Sequence, residues 1–239
     1  MNKLFLSELM IANSFWKAIQ NSHFSRQAES DARLIAEATY PLVEEFPTEA
    51  GSISVESAKL LWLITRYFSP KIIIEVGTYI GRSSLAMGFG GYSSLQKLHT
   101  CDGTFDNLDF NRFKEICGSI NKHNLISKIS YYGKTFSTDM LTKIKERGEK
   151  ADLIFIDGRI SPEDCNLLQQ VTSETCVYIL DDFQGVEKGV ANAMLLRKFF
   201  RNYILLEPRV ENNEREILAI LVPASIISLS RQQTLPVSM

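Results

Sequence analysis

The sequence predicts an α/β fold built on a doubly wound, mostly parallel sheet of seven strands. From Ile72 onward, short apolar runs rich in β-branched residues alternate with segments of helical periodicity. This alternation is typical of a parallel sheet with helices on both faces. The last two runs, YILLEP and EILAILVP, are separated only by RVENNER. That connection is too short for a parallel crossover, so these runs predict a C-terminal antiparallel hairpin.

The region before the sheet predicts a helical extension over residues 1–50. Apolar side chains recur there at helical spacings before Pro41 and Pro47. The extension is either an appendage that only packs on the domain, or a lid over a site or a dimerisation element. A further helix follows in SISVESAKLLWLITRYF, where Ser54 can cap the N-terminus.

Residues 51–223 are predicted to form the sheet domain, and residues 224–239 a poorly ordered tail. The predicted strands are, in order, IIIEV, KLHTCD, ISKISYYG, ADLIFIDG, CVYILDDF, YILLEP and EILAILVP. The predicted helices between them are SSLAMGF, FNRFKEICGSINKHN, TDMLTKIKERG, SPEDCNLLQQVTS and GVANAMLLRKFFRN.

Composition argues against several classes of partner. The 239 residues carry a formal net charge of −2, and no basic stripe is present, so we expect neither nucleic acid nor an anionic membrane surface as a partner. The chain lacks both an apolar run of the length of a membrane span and the apolar core of a signal peptide. The four cysteines have no CxxC spacing, which favours buried thiols. We therefore expect a cytoplasmic protein that binds a small molecule.

The turn after the first strand, EVGTYIG, is the first candidate ligand site. It lacks the Gly-Lys-Ser/Thr of a Walker A loop, and Gly77 and Gly81 are not followed by the third glycine of a dinucleotide fingerprint. Glu75 at the strand end suits a cationic or amino-bearing ligand. Asp102 ends the second strand about 20 residues later, where nucleotide-binding α/β folds place the acid that binds ribose hydroxyls. Together these residues indicate an aminoacyl nucleoside.

The segment IIIEVGTYIGRSSLAM resembles the first motif of class I S-adenosylmethionine (SAM)-dependent methyltransferases. Within that superfamily the chain is similar to the catechol and caffeoyl-CoA type of O-methyltransferase, from about residue 52 to residue 222. The resemblance implies a Rossmann-like methyltransferase domain with SAM as its cofactor. The SAM-binding residues that it implies are Glu75, Gly77, Thr78, Tyr79, Gly81, Ser83, Asp102, Gly103, Gly133 and Asp157, with Val55, Glu56 and Thr135 as further candidates.

Three carboxylates end the fourth and fifth predicted strands. Asp157 lies in FIDGRIS, and Asp181 and Asp182 lie in ILDDF, so all three should meet at one edge of the parallel sheet. Hard oxygen ligands suit Mg²⁺ or another divalent ion, which would bind substrate oxygens and lower the pKa of a hydroxyl. Alternatively, Asp157 only ends a strand or orients substrate without metal. Three acids that converge without any cation would repel one another, which favours the metal.

The general base is not evident from the sequence. Catechol-type enzymes carry a lysine three residues after the first metal-binding Asp, but this chain has Ile160 there, preceded by Arg159, which stays charged. We take Asp157, Asp181 and His123 as the candidate catalytic residues. Deprotonation is left to His123, His99, Lys134, Asp181 or the metal alone.

The function that the sequence favours is SAM-dependent O-methylation of a small specialised metabolite, assisted by a divalent metal, in a homodimer. We expect the N-terminal helices and the segments after Asp157 and Asp182, including Phe183 and Gln184, to cover the substrate. N-methylation of a small molecule, non-methylation chemistry such as hydroxylation, and a non-catalytic SAM-binding role are the alternatives.

Overall fold

A computed structural model of the chain describes residues 3–45, 52–103, 115, 120, 124–183, 186–206 and 218–226, without the side chains of 3–10 and 41–45. The strands are β1 (Ile72–Val76), β2 (Lys97–Asp102), β3 (Ile129–Gly133), β4 (Ala151–Ile156), β5 (Thr172–Leu180), β6 (Tyr203–Leu206) and β7 (Ala219–Pro223). The helices are α1 (Lys3–Gln20), α2 (Ser25–Glu45), α3 (Val55–Phe68), α4 (Arg82–Gly90), α5 (Ser137–Glu146), α6 (Pro162–Val171) and α7 (Gly189–Phe199). A short 3₁₀ helix spans Leu125–Lys128.

The seven strands form one sheet in the order β3-β2-β1-β4-β5-β7-β6. The first five strands pair in parallel, whereas β7 pairs antiparallel with both β5 and β6. The predicted fold class and the C-terminal hairpin are therefore confirmed. The connection between β6 and β7 and most of the predicted helix FNRFKEICGSINKHN lie outside the described residues.

Some element boundaries differ from the prediction, and the boundary between α6 and β5 differs with a visible cause. The sequence predicts that Thr172 and Ser173 end a helix, but α6 ends at Val171 and β5 begins at once with Thr172. Thr172 pairs with Ala151 of β4 across an irregular register, and its hydroxyl donates to the Leu168 carbonyl at 2.9 Å. Pairing with β4 therefore outweighs the helical spacing that the segment carries in the sequence.

Successive residues of the strands face opposite layers of helices. One apolar cluster joins alternate strand residues such as Ile73 and Leu153 to α3 and α4, and it also takes in Trp16 of α1 and Ile35 of α2. The other cluster joins the intervening residues, such as Ile74, to α5, α6 and α7. The N-terminal helices thus share the core on one face of the sheet. No helix among the described residues has the length and apolarity needed to cross a membrane.

The crossing of α3 and α4 depends on a glycine. A Cβ atom built on Gly90 would lie 2.2 Å from the carbonyl oxygen of Trp62, so the two backbones meet directly at this point. Trp62 is fixed in turn, because its indole N–H donates to Asp31 of α2 at 3.1 Å inside the protein. This contact holds α4, and the turn before it, against the helical layer.

Replacing Gly90 with alanine is expected to destabilise the protein by about 3 kcal/mol, because the added methyl group meets backbone that cannot turn aside. Chemical denaturation of Gly90→Ala and wild type measures the difference. Gly133→Ala is the matched control, since the atoms nearest to its added Cβ belong to the side chain of Tyr131 and not to backbone. Equal losses of stability in the two variants would contradict the assigned helix crossing.

Candidate active site

The candidate site lies at the carboxyl edge of the parallel strands, around β1. This strand lies between β2 and β4, and the chain winds in one direction from β1 to β3 and in the other from β4 to β5. Open α/β sheets bind ligands at such a reversal of strand order. The glycine turn, Asp102, Asp157 and Asp181 follow or end strands at this edge.

The turn between β1 and α4 has a backbone that favours glycine. Gly77 has φ 101° and Gly81 has φ 77°, and between them Tyr79 takes a left-handed conformation with φ 44°. The amides of Gly77 and Thr78 donate to the Cys101 carbonyl at 3.0 and 3.1 Å, which joins the turn to the end of β2. A Cβ atom on Gly77 would lie 3.0 Å from the amide nitrogen of Gly158, so the turn also lies against the loop after β4.

Asp102 holds this turn in its left-handed form. Its carboxylate accepts the amide N–H of Tyr79 at 2.9 Å, and its side chain is almost buried. The hydroxyls of Thr78 and Thr100 lie 2.5 Å apart beneath it, and the amide of Thr135 donates to the Asp102 carbonyl at 3.1 Å. The structure therefore brings together Gly77, Thr78, Tyr79 and Asp102.

Glu75 is fully buried and faces the first turn of α4. Its carboxylate accepts hydrogen bonds from the hydroxyls of Ser83 and Ser84. Burial raises the pKa of Glu75 to about 7, against the opposing effect of these hydrogen bonds. Glu75 and Ser83, both predicted to bind SAM, therefore contact each other here. Ser84 was not among the predicted site residues, although the adjacent serines of GRSS could have indicated it.

The helical extension reaches the site through Arg82, the first residue of α4. Its guanidinium donates to the Thr39 hydroxyl of α2 at 3.1 Å and to the Ile53 carbonyl before α3 at 2.8 Å. Ser54 caps α3 as predicted, accepting the Ser57 amide at 3.1 Å. Val55 and Glu56 therefore lie in the first turn of α3, beside the segment that Arg82 contacts.

Phe136 borders the site next to Asp102. A Cβ atom on Gly103 would lie 2.6 Å from the Phe136 ring, which is 63% exposed. Gly133 ends β3 nearby and is exposed, and its carbonyl accepts the Thr135 hydroxyl at 2.9 Å. The exposed aromatic ring beside Asp102 was not among the predicted site residues.

Asp157, Asp181 and Asp182, which follow β4 and β5, form an acidic rim at the edge of the sheet. This acidic rim contains a cation that was not predicted from the sequence. The ammonium of Lys188, the residue before α7, donates to Asp157 and, at 2.6 Å, to Asp182. Burial alone would lower the pKa of Lys188, but the carboxylates of Asp157 and Asp182 outweigh burial and raise it above its usual value. Lys188 is therefore a protonated ion-pair partner at neutral pH.

The predicted divalent metal site is not supported. No group of three His, Cys, Asp or Glu side chains within the described part of the chain is arranged to hold a metal ion. Asp181 is buried, with 4% of its surface exposed, while the ammonium of Lys188 joins Asp157 to Asp182. Asp157 and Asp182 do have a cation between them, and the residues present fit this ammonium from the chain itself rather than Mg²⁺.

Of the two histidines proposed as general bases, the structure describes only His99. His99 is buried within β2, with its Nε2 atom 2.5 Å from Glu149 and its Nδ1 atom 3.2 Å from the Tyr132 hydroxyl. Burial is the main cause that lowers the pKa of His99, against the opposing effect of Glu149. His99 thus belongs to a structural hydrogen-bond chain. His123 and Gln184 lie outside the described residues.

Comparisons with known proteins identify the fold. No protein-family model and no curated protein matches the chain. Among solved structures, the chain is similar to an O-methyltransferase from Bacillus cereus in complex with S-adenosylhomocysteine (SAH), at 18% identity and TM-score 0.60, over 79% of this chain and 90% of that chain. The chain has the fold of class I SAM-dependent methyltransferases.

Two further structures with this methyltransferase fold are similar. The O-methyltransferase TomG from Streptomyces achromogenes, involved in tomaymycin synthesis and in complex with SAM, has 19% identity and TM-score 0.57 over 82% of this chain and 89% of that chain. The SAH-bound methyltransferase PaMTH1 from Podospora anserina has 15% identity and TM-score 0.58 over 85% of this chain and 96% of that chain.

The raised pKa of Glu75 predicts a pH dependence of stability. Glu75 loses its proton near pH 7 in the folded protein and near pH 4.5 in the unfolded chain, so the folded state binds more protons between these values. The contribution of Glu75 to stability therefore falls as pH rises through this window, by about 3 kcal/mol in total. Glu75→Gln removes the titration, so wild type should lose about 3 kcal/mol relative to this variant between pH 4.5 and 7.

Urea denaturation at a series of pH values measures this difference. Glu174→Gln, which removes an exposed carboxylate at the start of β5, should give a curve parallel to that of wild type. Parallel curves for Glu75→Gln and wild type would show that Glu75 titrates normally in the folded state.

Proposed function

We propose that this protein is a SAM-dependent methyltransferase that methylates an oxygen atom of a small molecule. The observation that carries the proposal is the left-handed glycine turn held by Asp102 at the carboxyl ends of β1 and β2. This turn lies at the strand-order reversal of a methyltransferase fold, where open α/β sheets bind their ligands.

In this proposal each part of the turn has a task in SAM binding. The absence of a side chain at Gly77 and Gly81 lets the cofactor approach the backbone closely. The Asp102 carboxylate accepts the ribose hydroxyls while it also holds the Tyr79 amide. Glu75 fixes the first turn of α4 by accepting hydrogen bonds from the hydroxyls of Ser83 and Ser84. The exposed ring of Phe136 borders the space next to Asp102.

The reaction is an in-line displacement at the methyl carbon of SAM. The acceptor oxygen forms a bond to that carbon, the bond from carbon to sulfur breaks, its electron pair stays on sulfur, and SAH leaves. The hydroxyl proton passes to a carboxylate of the rim. We assign this role to Asp182, whose side chain is 40% exposed, ahead of Asp157, which is 14% exposed. Catalysis then depends mainly on how the chain positions donor and acceptor.

The acceptor class follows from charge and from similarity to known enzymes. The chain has a net charge of −2, which does not favour nucleic acid. The similarity to TomG, which is involved in tomaymycin synthesis, supports a small specialised metabolite as acceptor. A cytoplasmic homodimer stays a prediction from the sequence.

Asp102→Asn is expected to weaken SAH binding about tenfold or more, because the ribose hydroxyls lose a carboxylate acceptor. Isothermal titration of the purified protein with SAH measures the affinity. Glu174→Gln, which removes a carboxylate remote from the turn, should leave the affinity unchanged. An unchanged affinity in Asp102→Asn would place SAH elsewhere on the protein.

Transfer of labelled methyl from SAM to a panel of phenols, alcohols and amines tests the activity itself. We expect label on oxygen, identified by mass spectrometry of the product. Label on nitrogen would make the protein an N-methyltransferase. SAH binding without transfer to any acceptor would favour a non-catalytic role or non-methylation chemistry such as hydroxylation.

A further inference from the structure

Close contacts between the start of α7 and the backbone after β5 fix the position of Lys188. Lys188 directly precedes α7, and a Cβ atom on the next residue, Gly189, would lie 2.3 Å from the Asp181 carbonyl oxygen and 2.7 Å from that of Asp182. Only a residue without a side chain lets α7 begin so close to the loop after β5. The ammonium of Lys188 is thereby directed at the strand ends.

A second contact ties the same helix to the loop after β4. The Asn192 side chain donates to the Gly158 carbonyl at 2.8 Å and accepts the Ile160 amide at 3.3 Å. Asn192 is buried, and it lies one turn after Lys188. The start of α7 is therefore fastened both to the loop that carries Asp157 and to the loop that carries Asp182.

The ion pair of Lys188 differs from the exposed pairs of this protein. Arg159 and Glu187 approach only to 3.8 Å, with 75% and 83% of their side chains exposed. Lys188 is 29% exposed, contacts two carboxylates and lies within an ordered frame of backbone contacts. Exposed pairs contribute little to stability or position, whereas a partly buried ammonium between two carboxylates has a defined place.

We propose that Lys188 is the resident cation of this site, and that its ammonium takes the position in which a divalent ion would join Asp157 and Asp182. SAM binding and acceptor binding then require no divalent ion. An ammonium has three N–H donors, so bonds to two carboxylates leave a third donor that can bind the acceptor oxygen. The role toward the acceptor rests on the proposed function, but the occupation of the cation position does not.

Titration of the full chain with Mn²⁺, followed by the electron paramagnetic resonance signal of the free ion, tests this proposal. Wild type should show no saturable Mn²⁺ binding up to about 1 mM, a concentration at which weak carboxylate sites fill. Lys188→Met, which keeps the length of the side chain without its charge, should gain a site that binds Mn²⁺ at least about tenfold more tightly than this limit of about 1 mM. Lys188→Met combined with Asp157→Asn should lose that gain.

Lys198→Met is the matched control, because Lys198 is an exposed lysine in the last turn of the same helix. It should behave as wild type. Saturable Mn²⁺ binding by wild type that disappears in Asp157→Asn would overturn the proposal. So would a folded Lys188→Met variant, checked by circular dichroism, that gains no Mn²⁺ site. If that variant does not fold, the wild-type titration decides.

Titration with SAH in EDTA and in Mg²⁺ gives a second measurement on wild type. We expect the same affinity in both buffers, and a loss of affinity in EDTA would contradict the proposal. A complete absence of SAH binding would instead count against the proposed function. The Mn²⁺ titrations would still decide the role of Lys188, so the two failures are distinguishable.

Discussion

The close approach of the loops that follow β1 and β4 is the constraint on which the rest of the site depends. The amides of Asp157 and Gly158 both donate to the Val76 carbonyl, at 2.9 and 2.8 Å, and Gly77 faces Gly158 with no room for a larger side chain. Backbone contacts therefore hold Asp157 beside the glycine turn. Any ligand of the turn and any ligand of the acidic rim must then be neighbours, which is the arrangement that group transfer between two small molecules needs.

This edge of the sheet collects several acids, and each is stabilised in a different way. Glu75 is buried against serine hydroxyls with a raised pKa, whereas Asp102 accepts a backbone amide. Asp157 and Asp182 share the ammonium of Lys188. Without these separate partners, the four carboxylates would lie at one edge with no compensating cation or hydrogen-bond donor, which would weaken the fold. The local partners thus allow Asp102 and Asp182 to lie together at this edge.

Much of the fold could be predicted from local sequence patterns. A strand is predicted by the β-branched run Ile72–Val76 itself, and a hairpin by the short RVENNER connection. Both patterns lie within a few residues, so neither depends on the rest of the chain. The place of Asp102 followed from its spacing behind the glycine turn. The first residues of β5 were not predicted, because the pairing of Thr172 with Ala151 competes with a helical pattern in the sequence.

Lys188 could not be found in the same way. It lies 6 residues from Asp182 but 31 from Asp157, and in the sequence it looks like an ordinary lysine ahead of a helix. Its contact with the acids depends on Gly189, which allows α7 to begin against the Asp181 and Asp182 carbonyls. The spacing of apolar residues in the sequence does not indicate this close approach. The bond from Arg82 to Thr39 is a further example, because its partners are 43 residues apart.

The bond between Arg82 and Thr39 also bears on the helical extension. Thr39 is fully buried, and α2 further fixes Trp62 of α3 through Asp31. Because Trp16 and Ile35 belong to the same apolar cluster as the sheet, moving α1 or α2 aside would expose that core to water. The described parts of both helices therefore share the core next to the glycine turn, and their role as a lid or as a dimerisation element stays a prediction from the sequence. Among the described residues that border the site, Asp182 after β5 and Phe136 after β3 keep exposed side chains.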